Sequence, residues 1–149
     1  NATQLRLDLE IASFHRLVPV FSDSMLDQIH ALNANWQKQA TQGTFFNIRD
    51  RWRHNALFHT TLASFCGNEL VVNVINEMIR LEFRAYAQML EIPANKEIFF
   101  STETQKPHIE IERALAQQDY ETAEYMLRAD IMTLLTSLPD YIRTTPQPL

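Results

Sequence analysis

Two polar side chains stand four residues apart in "NALFHTTLASFCGN", residues 55–68. On a helix, Asn55 and His59 project from one face. An amide oxygen and an imidazole nitrogen can both ligate a metal, so the pair could be half of a metal site. It could equally be a hydrogen-bonded pair in a crowded core. A third candidate is His108, on the same side of its segment as Ile111 and Leu115. A histidine on an apolar stripe is often a satisfied core residue. Asp130 is harder to explain that way. It sits in "MLRADIMTLL", flanked by Leu127, Ile131 and Leu134. A carboxylate on or beside an apolar face is costly without a cation, a metal or a donor. Arg128 is near in sequence, but residues two apart on a helix do not face each other. Asn55, His59, His108 and Asp130 together offer two imidazoles and two oxygens, a set suited to Zn, Ni, Mn or Fe(II).

Arginines supply the complementary chemistry. Arg80 and Arg84 lie four apart, opposite a face of Val71, Val74, Ile75 and Met78. They are either a solvated face or a guanidinium clamp for a carboxylate ligand, and Arg6 in "LRLDLE" has the same two readings. The run "RDRWRH", residues 49–54, is interrupted by Asp50 and reads as an exposed helix face, with His54 on the surface. Cys66 reads as a small core residue. The sequence has no Glu-x-x-His, His-Glu-x-x-His, Gly-rich phosphate loop or Gly-x-Ser-x-Gly elbow, which removes the usual di-iron, zinc-protease, nucleotide and hydrolase signatures.

The elements that must carry these residues are helices. The chain has 149 residues, enough for one domain with a sizeable core, and only 2 glycines, both placed where a helix would stop, Gly43 and Gly67. Periodicity predicts six main helices. The first runs through "TQLRLDLEIASFHRLV" and weakens near Pro19. The second follows a Ser22-Asp23-Ser24 cap signal, with Met25, Leu26, Ile29, Leu32 and Trp36 at helical spacing. The third spans residues 45–66 and carries Phe45, Ile48, Trp52, Leu57, Phe58, Leu62 and Phe65. Asn68 caps a fourth that ends before Pro93. After a loop, a fifth begins near Pro107. The sixth follows Asp119 and reaches Ile142, and the tail frays. Short links between long amphipathic helices imply an antiparallel bundle of six or seven helices in one domain, residues 1–149.

Charge and composition narrow the function. A net charge of −5 argues against these residues gripping nucleic acid by themselves. No apolar run approaches the roughly 18 residues of a membrane span, so no membrane partner is expected. The single cysteine precludes an internal disulfide and fits a reducing, cytoplasmic setting.

Four stretches give the chain a resemblance to a known family: Arg6-Leu7-Asp8-Leu9-Glu10; Asn55-Ala56-Leu57-Phe58-His59 continuing through Leu62 to Gly67-Asn68; His108, Ile111, Ala114, Leu115 and Asp119; and Ala123 to Ile131. In order and spacing they resemble the effector-binding C-terminal (FCD) domain of the FadR subfamily of GntR-type bacterial transcription regulators. The resemblance implies an all-helical bundle, a homodimer, and a cavity for a small carboxylate metabolite beside a divalent metal, with Zn foremost and Ni, Mn or Fe as alternatives. The family holds that metal through one aspartate and three histidines, here at the positions of Asn55, His59, His108 and Asp130. Asn55 replaces the aspartate and Asp130 replaces a histidine, so one carboxylate and two imidazoles survive. Effector contacts fall to Arg84, Arg80 and Arg6. DNA would be read only by a winged helix-turn-helix domain that the family places before this one. The implied protein is a sensor and not an enzyme. The rivals are a mononuclear metalloenzyme on the same four ligands, with Glu110 or Glu112 as base, and a metal-free interaction module, which predicts Asp130 paired to an arginine.

Overall fold

The computed structural model describes residues 2–41, 48–89 and 106–137. Among them are six helices: α1 (Ala2–Leu17), α2 (Asp23–Thr41), α3 (Ile48–Ser64), α4 (Glu69–Met89), α5 (Lys106–Ala116) and α6 (Tyr120–Ser137), with a 3-10 turn at Val18–Val20 after α1. Gly43, Phe45, the stretch 90–105 and everything beyond Ser137 lie outside the described residues.

The helix ends follow local chemistry. Pro19 falls in the 3-10 turn that closes α1, where its missing N–H costs no helical bond. The Ser22 hydroxyl accepts the Met25 N–H at 3.3 Å, so α2 starts at Asp23, two residues before the predicted start. Asn68 caps α4 by accepting from the Leu70 and Val71 N–H groups at 3.1 and 3.3 Å. Asp119 does the same for α6 through Thr122 at 3.1 Å. Gly67, at φ +77°, turns the chain between α3 and α4 in the left-handed conformation that glycine adopts cheaply. The α5–α6 turn uses the same device with a different residue. Gln118 sits at φ 56°, the Asp119 N–H reaches the Ala114 carbonyl at 2.9 Å, and the Gln118 N–H reaches that of Leu115 at 3.1 Å. This is a Schellman end with glutamine in the glycine position.

α1 is the centre of the domain and packs against α3, α4 and α6, while α2 bridges α3 and α5, and α5 folds back on α6. The buried stripe of α1 is wide enough to hold two seams. Leu7, Ile11, Phe14 and Leu17 face the main core, where they meet Ile29, Phe58, Leu62, Ile111, Leu115, Leu127 and Ile131. Beside them Arg6 and Glu10 are equally buried. A second core of Trp52, Ala63, Ile75 and Ile79 lies between α3 and α4.

Three expectations for α3 are corrected. Leu57 is 45 % exposed, because the buried stripe runs through 58, 59 and 62 and leaves 57 on the outer face. The "RDRWRH" run is not an exposed face. Arg51 and Trp52 are buried, with the Trp52 indole donating to the Ile79 carbonyl at 3.0 Å and the Arg51 guanidinium 5.8 Å from the centre of the Trp36 ring. His54 is half-buried rather than a surface residue. It meets Trp36 edge-on at 5.0 Å and pairs with Gln39 at 3.2 Å, because α2 covers this side of α3. Burial pushes the pKa of Arg51 down to about 10 and also lowers that of His54.

Candidate metal centre

Helix periodicity aims three donors inward from three helices. His59 lies on the buried stripe of α3 between Phe58 and Leu62, His108 on that of α5 with Ile111 and Leu115, and Asp130 beside Leu127 and Ile131 on α6. One ligand atom from each of His59, His108 and Asp130 falls within 4.8 Å of the others, the single such cluster among the described residues. Both imidazoles meet the same carboxylate oxygen: His59 Nε2 and His108 Nε2 each lie 3.0 Å from Asp130 Oδ2. The Phe58 ring stacks on His108 at 3.9 Å, tilted by 6°, and the two imidazoles meet edge-on at 5.2 Å. On the far side of α5, Asn33 donates to the His108 carbonyl at 3.1 Å and to Glu112 at 2.9 Å. That locks the first turn of α5 to α2.

The cluster continues into a chain of ion pairs that the sequence did not reveal. His59 Nδ1 lies 2.6 Å from Glu10 Oε2. The other oxygen of Glu10 accepts from Arg6 Nε at 2.6 Å, and Arg6 Nη1 donates to Glu82 on α4 at 2.6 Å. Glu10 is 3 % exposed, Arg6 1 % and Glu82 4 %. Glu82 was not singled out from sequence, and Glu10 entered only as the end of the Arg6–Glu10 stretch, with no role given to it. The available signal was the four-residue spacing of Arg6 and Glu10 on a helix whose Leu7 and Ile11 are clearly inward, and this spacing also suits a surface pair.

Burial opposes every charge in this chain, and the neighbours decide the outcome. Asp130 is held well below the usual carboxylate range, because the two imidazoles and their hydrogen bonds prevail over desolvation. Glu10 is also lowered, against burial, by His59 and Arg6. For His59, burial pulls the pKa down, but Glu10 and the hydrogen bonds to Asp130 and Glu10 raise it despite Arg6. His108 has only Asp130 to offset burial and is lowered. Glu82 is raised, since burial exceeds the help from Arg6. Without a metal the cluster therefore holds a proton more readily on His59, between two carboxylates, than on His108.

The donor set fits a divalent transition metal. Two imidazole nitrogens and one carboxylate oxygen converge, and such donors sit about 2.0–2.2 Å from zinc, which places them about 3.3 Å from one another in a tetrahedron, close to the 3.0 Å separations seen. Three protein ligands leave a position for a small molecule. Of the remaining sequence candidates, Asn55 is half-buried one turn before His59, and no side-chain hydrogen bond joins it to the cluster among the described residues. Arg6 is the guanidinium that the fold brings near. Arg80 and Arg84 lie on the exposed face of α4, with Arg80 paired to Glu77 at 2.7 Å, and the fold does not bring them to the cluster. Asp130 meets two histidines, not the arginine that an interaction module predicts, and Arg128 pairs with Glu124 at 2.9 Å. Both candidate bases are engaged elsewhere: Glu110 with Arg113 and Glu112 with His30 and Asn33.

Comparison with known proteins agrees with this architecture. No curated protein matches the chain at a significant level. The fold is similar to the crystal structure of a GntR-family transcriptional regulator from Pseudomonas syringae pv. tomato, with a TM-score of 0.69 and 19 % sequence identity over 96 % of this chain. That match spans 56 % of the regulator's chain. Residues 1–132 match the FCD domain family. A helical bundle closed around an Arg-Glu seam on α1 and a histidine-carboxylate cluster on α3, α5 and α6 thus belongs, by fold and by sequence, to the FCD domain family.

Proposed function

We propose that this domain is the ligand-sensing part of a GntR-type transcription regulator, and that it takes up a small carboxylate effector at a divalent metal held by His59, His108 and Asp130. The observation that carries the reading is the convergence of three donor atoms from three separate helices within 4.8 Å. The metal, Zn on the strength of its nitrogen-rich donor set, supplies a Lewis-acidic point for one effector carboxylate. Asn55 stands one turn from His59 and is the remaining candidate ligand, neutral where the family has a charge. Arg6 supports the site from behind through Glu10. The effector would shift the balance between arrangements of a dimer and so of its DNA-reading domains, which is a change of population without chemistry.

The test is metal analysis of the purified chain, followed by calorimetry of the zinc-loaded protein against a panel of mono-, di- and tricarboxylates. The expected result is one metal per chain, lost in His108→Ala, and at least one carboxylate that binds only when metal is present. A chain that takes up neither metal nor any carboxylate sinks the assignment. Turnover of a carboxylate, abolished by His108→Ala, would favour the metalloenzyme instead.

A further inference from the structure

We propose that Glu10 is a positioning residue for the metal, a role that rests on the sensor-site reading above. His59 offers two nitrogens, and only Nε2 lies toward His108 and Asp130. The other nitrogen, Nδ1, is 2.6 Å from Glu10 Oε2, with both side chains fully buried. Nδ1 must carry the proton for that contact to be a hydrogen bond, since a carboxylate can only accept. Glu10 therefore fixes the tautomer that frees Nε2 as a ligand, fixes the plane of the ring, and makes the ring a stronger donor to a cation.

Glu10 can do this because it is itself held. Its Oε1 accepts from Arg6 Nε at 2.6 Å, and Arg6 is anchored to Glu82 of α4 at 2.6 Å. Each oxygen of Glu10 thus answers a different donor. Glutamine cannot replace it, because an amide has one acceptor and one donor end. The donor end of that amide would face a like group, either the Arg6 Nε–H or the His59 Nδ1–H. Aspartate keeps both acceptors and retreats by one methylene. The metal affinity of the domain is therefore set in part by a helix that contributes no ligand.

The test uses the 149-residue chain and zinc alone. Nitrogen-15 spectra of the zinc-loaded wild type should show His59 protonated at Nδ1 and metallated at Nε2. Metallation at Nδ1, or a His59 ring outside the metal's reach, overturns the proposal without any variant. In Glu10→Gln, zinc affinity measured by competition with a chromophoric chelator should fall roughly 10–100-fold, and the Nδ1–H signal should shift. Glu10→Asp should recover part of the affinity. A folded Glu10→Gln chain with wild-type zinc affinity overturns the role of Glu10 and leaves the sensor site standing. A wild-type chain that binds no zinc overturns both.

Discussion

Arg6 is almost wholly enclosed, and it is the residue whose removal should be felt most widely. It separates two buried carboxylates, Glu10 and Glu82, and its loss would leave Glu82 without its cation and Glu10 with His59 alone. Breaking a buried pair on one side costs roughly 3–5 kcal/mol, so Arg6→Met should destabilise the metal-free domain by an amount in that range, read from urea unfolding. Acid should act on the same network. Asp130 and Glu10 titrate below their unfolded values, so their contribution is full above the ordinary carboxylate range and is lost as the pH falls from that range toward their lower folded values. His108, lowered by burial, works in the same direction from its own range downward. His59 is raised and works oppositely, stabilising on the acid side and fading as the pH climbs through its folded value. For these carboxylates the urea midpoint of the metal-free domain should fall progressively from about pH 5 downward, with the loss continuing below pH 3. At this scale the sequence revealed His59, His108 and Asp130, because a polar residue on an apolar stripe needs a reason. It hid the role of Glu10, because the residues that give it that role, His59 and Glu82, are 49 and 72 positions away in the chain.

Helix ends and helix faces were readable from local signals that do not depend on the rest of the fold. Ser22, Asn68 and Asp119 cap as their types suggest, and Gly67 turns the chain with a positive φ. What local signals could not show was which face a neighbour would cover. The apolar stripe of α3 has a clear direction, but the burial of Arg51 and the cover over His54 come from α2 and α4, which periodicity within α3 does not see. The α5–α6 turn offers a direct measurement. Gln118 holds a left-handed backbone at φ 56°, a conformation that costs a side-chain-bearing residue roughly 1–2 kcal/mol. Gln118→Gly should therefore raise the melting temperature, by up to about that free energy less the added entropy of the unfolded chain. Gly67→Ala, at φ +77° with open space around the added methyl, should lower it for strain alone.

For the molecule as a whole, the proposed metal would tie together three separate helices, α3, α5 and α6. Zinc should therefore stabilise the entire fold, by about 2.7 kcal/mol when free zinc exceeds its dissociation constant a hundredfold. Chelation should lower the melting temperature correspondingly, a shift that scanning calorimetry with and without a chelator will read, and that Asp130→Ala should abolish. The division of donors along the chain also bears on how the molecule assembles. His108 and Asp130 are only 22 residues apart, on one hairpin closed by the Schellman turn, whereas His59 is 71 residues from Asp130. Closing the short loop costs less entropy than closing the long one, so the hairpin can gather two donors before the rest of the chain is organised. Zinc present at the start of refolding should then shorten the relaxation time relative to zinc added after the fold has closed. Kinetically, the proposed ion would act as a template for the α5–α6 hairpin, with α3 delivering the final ligand.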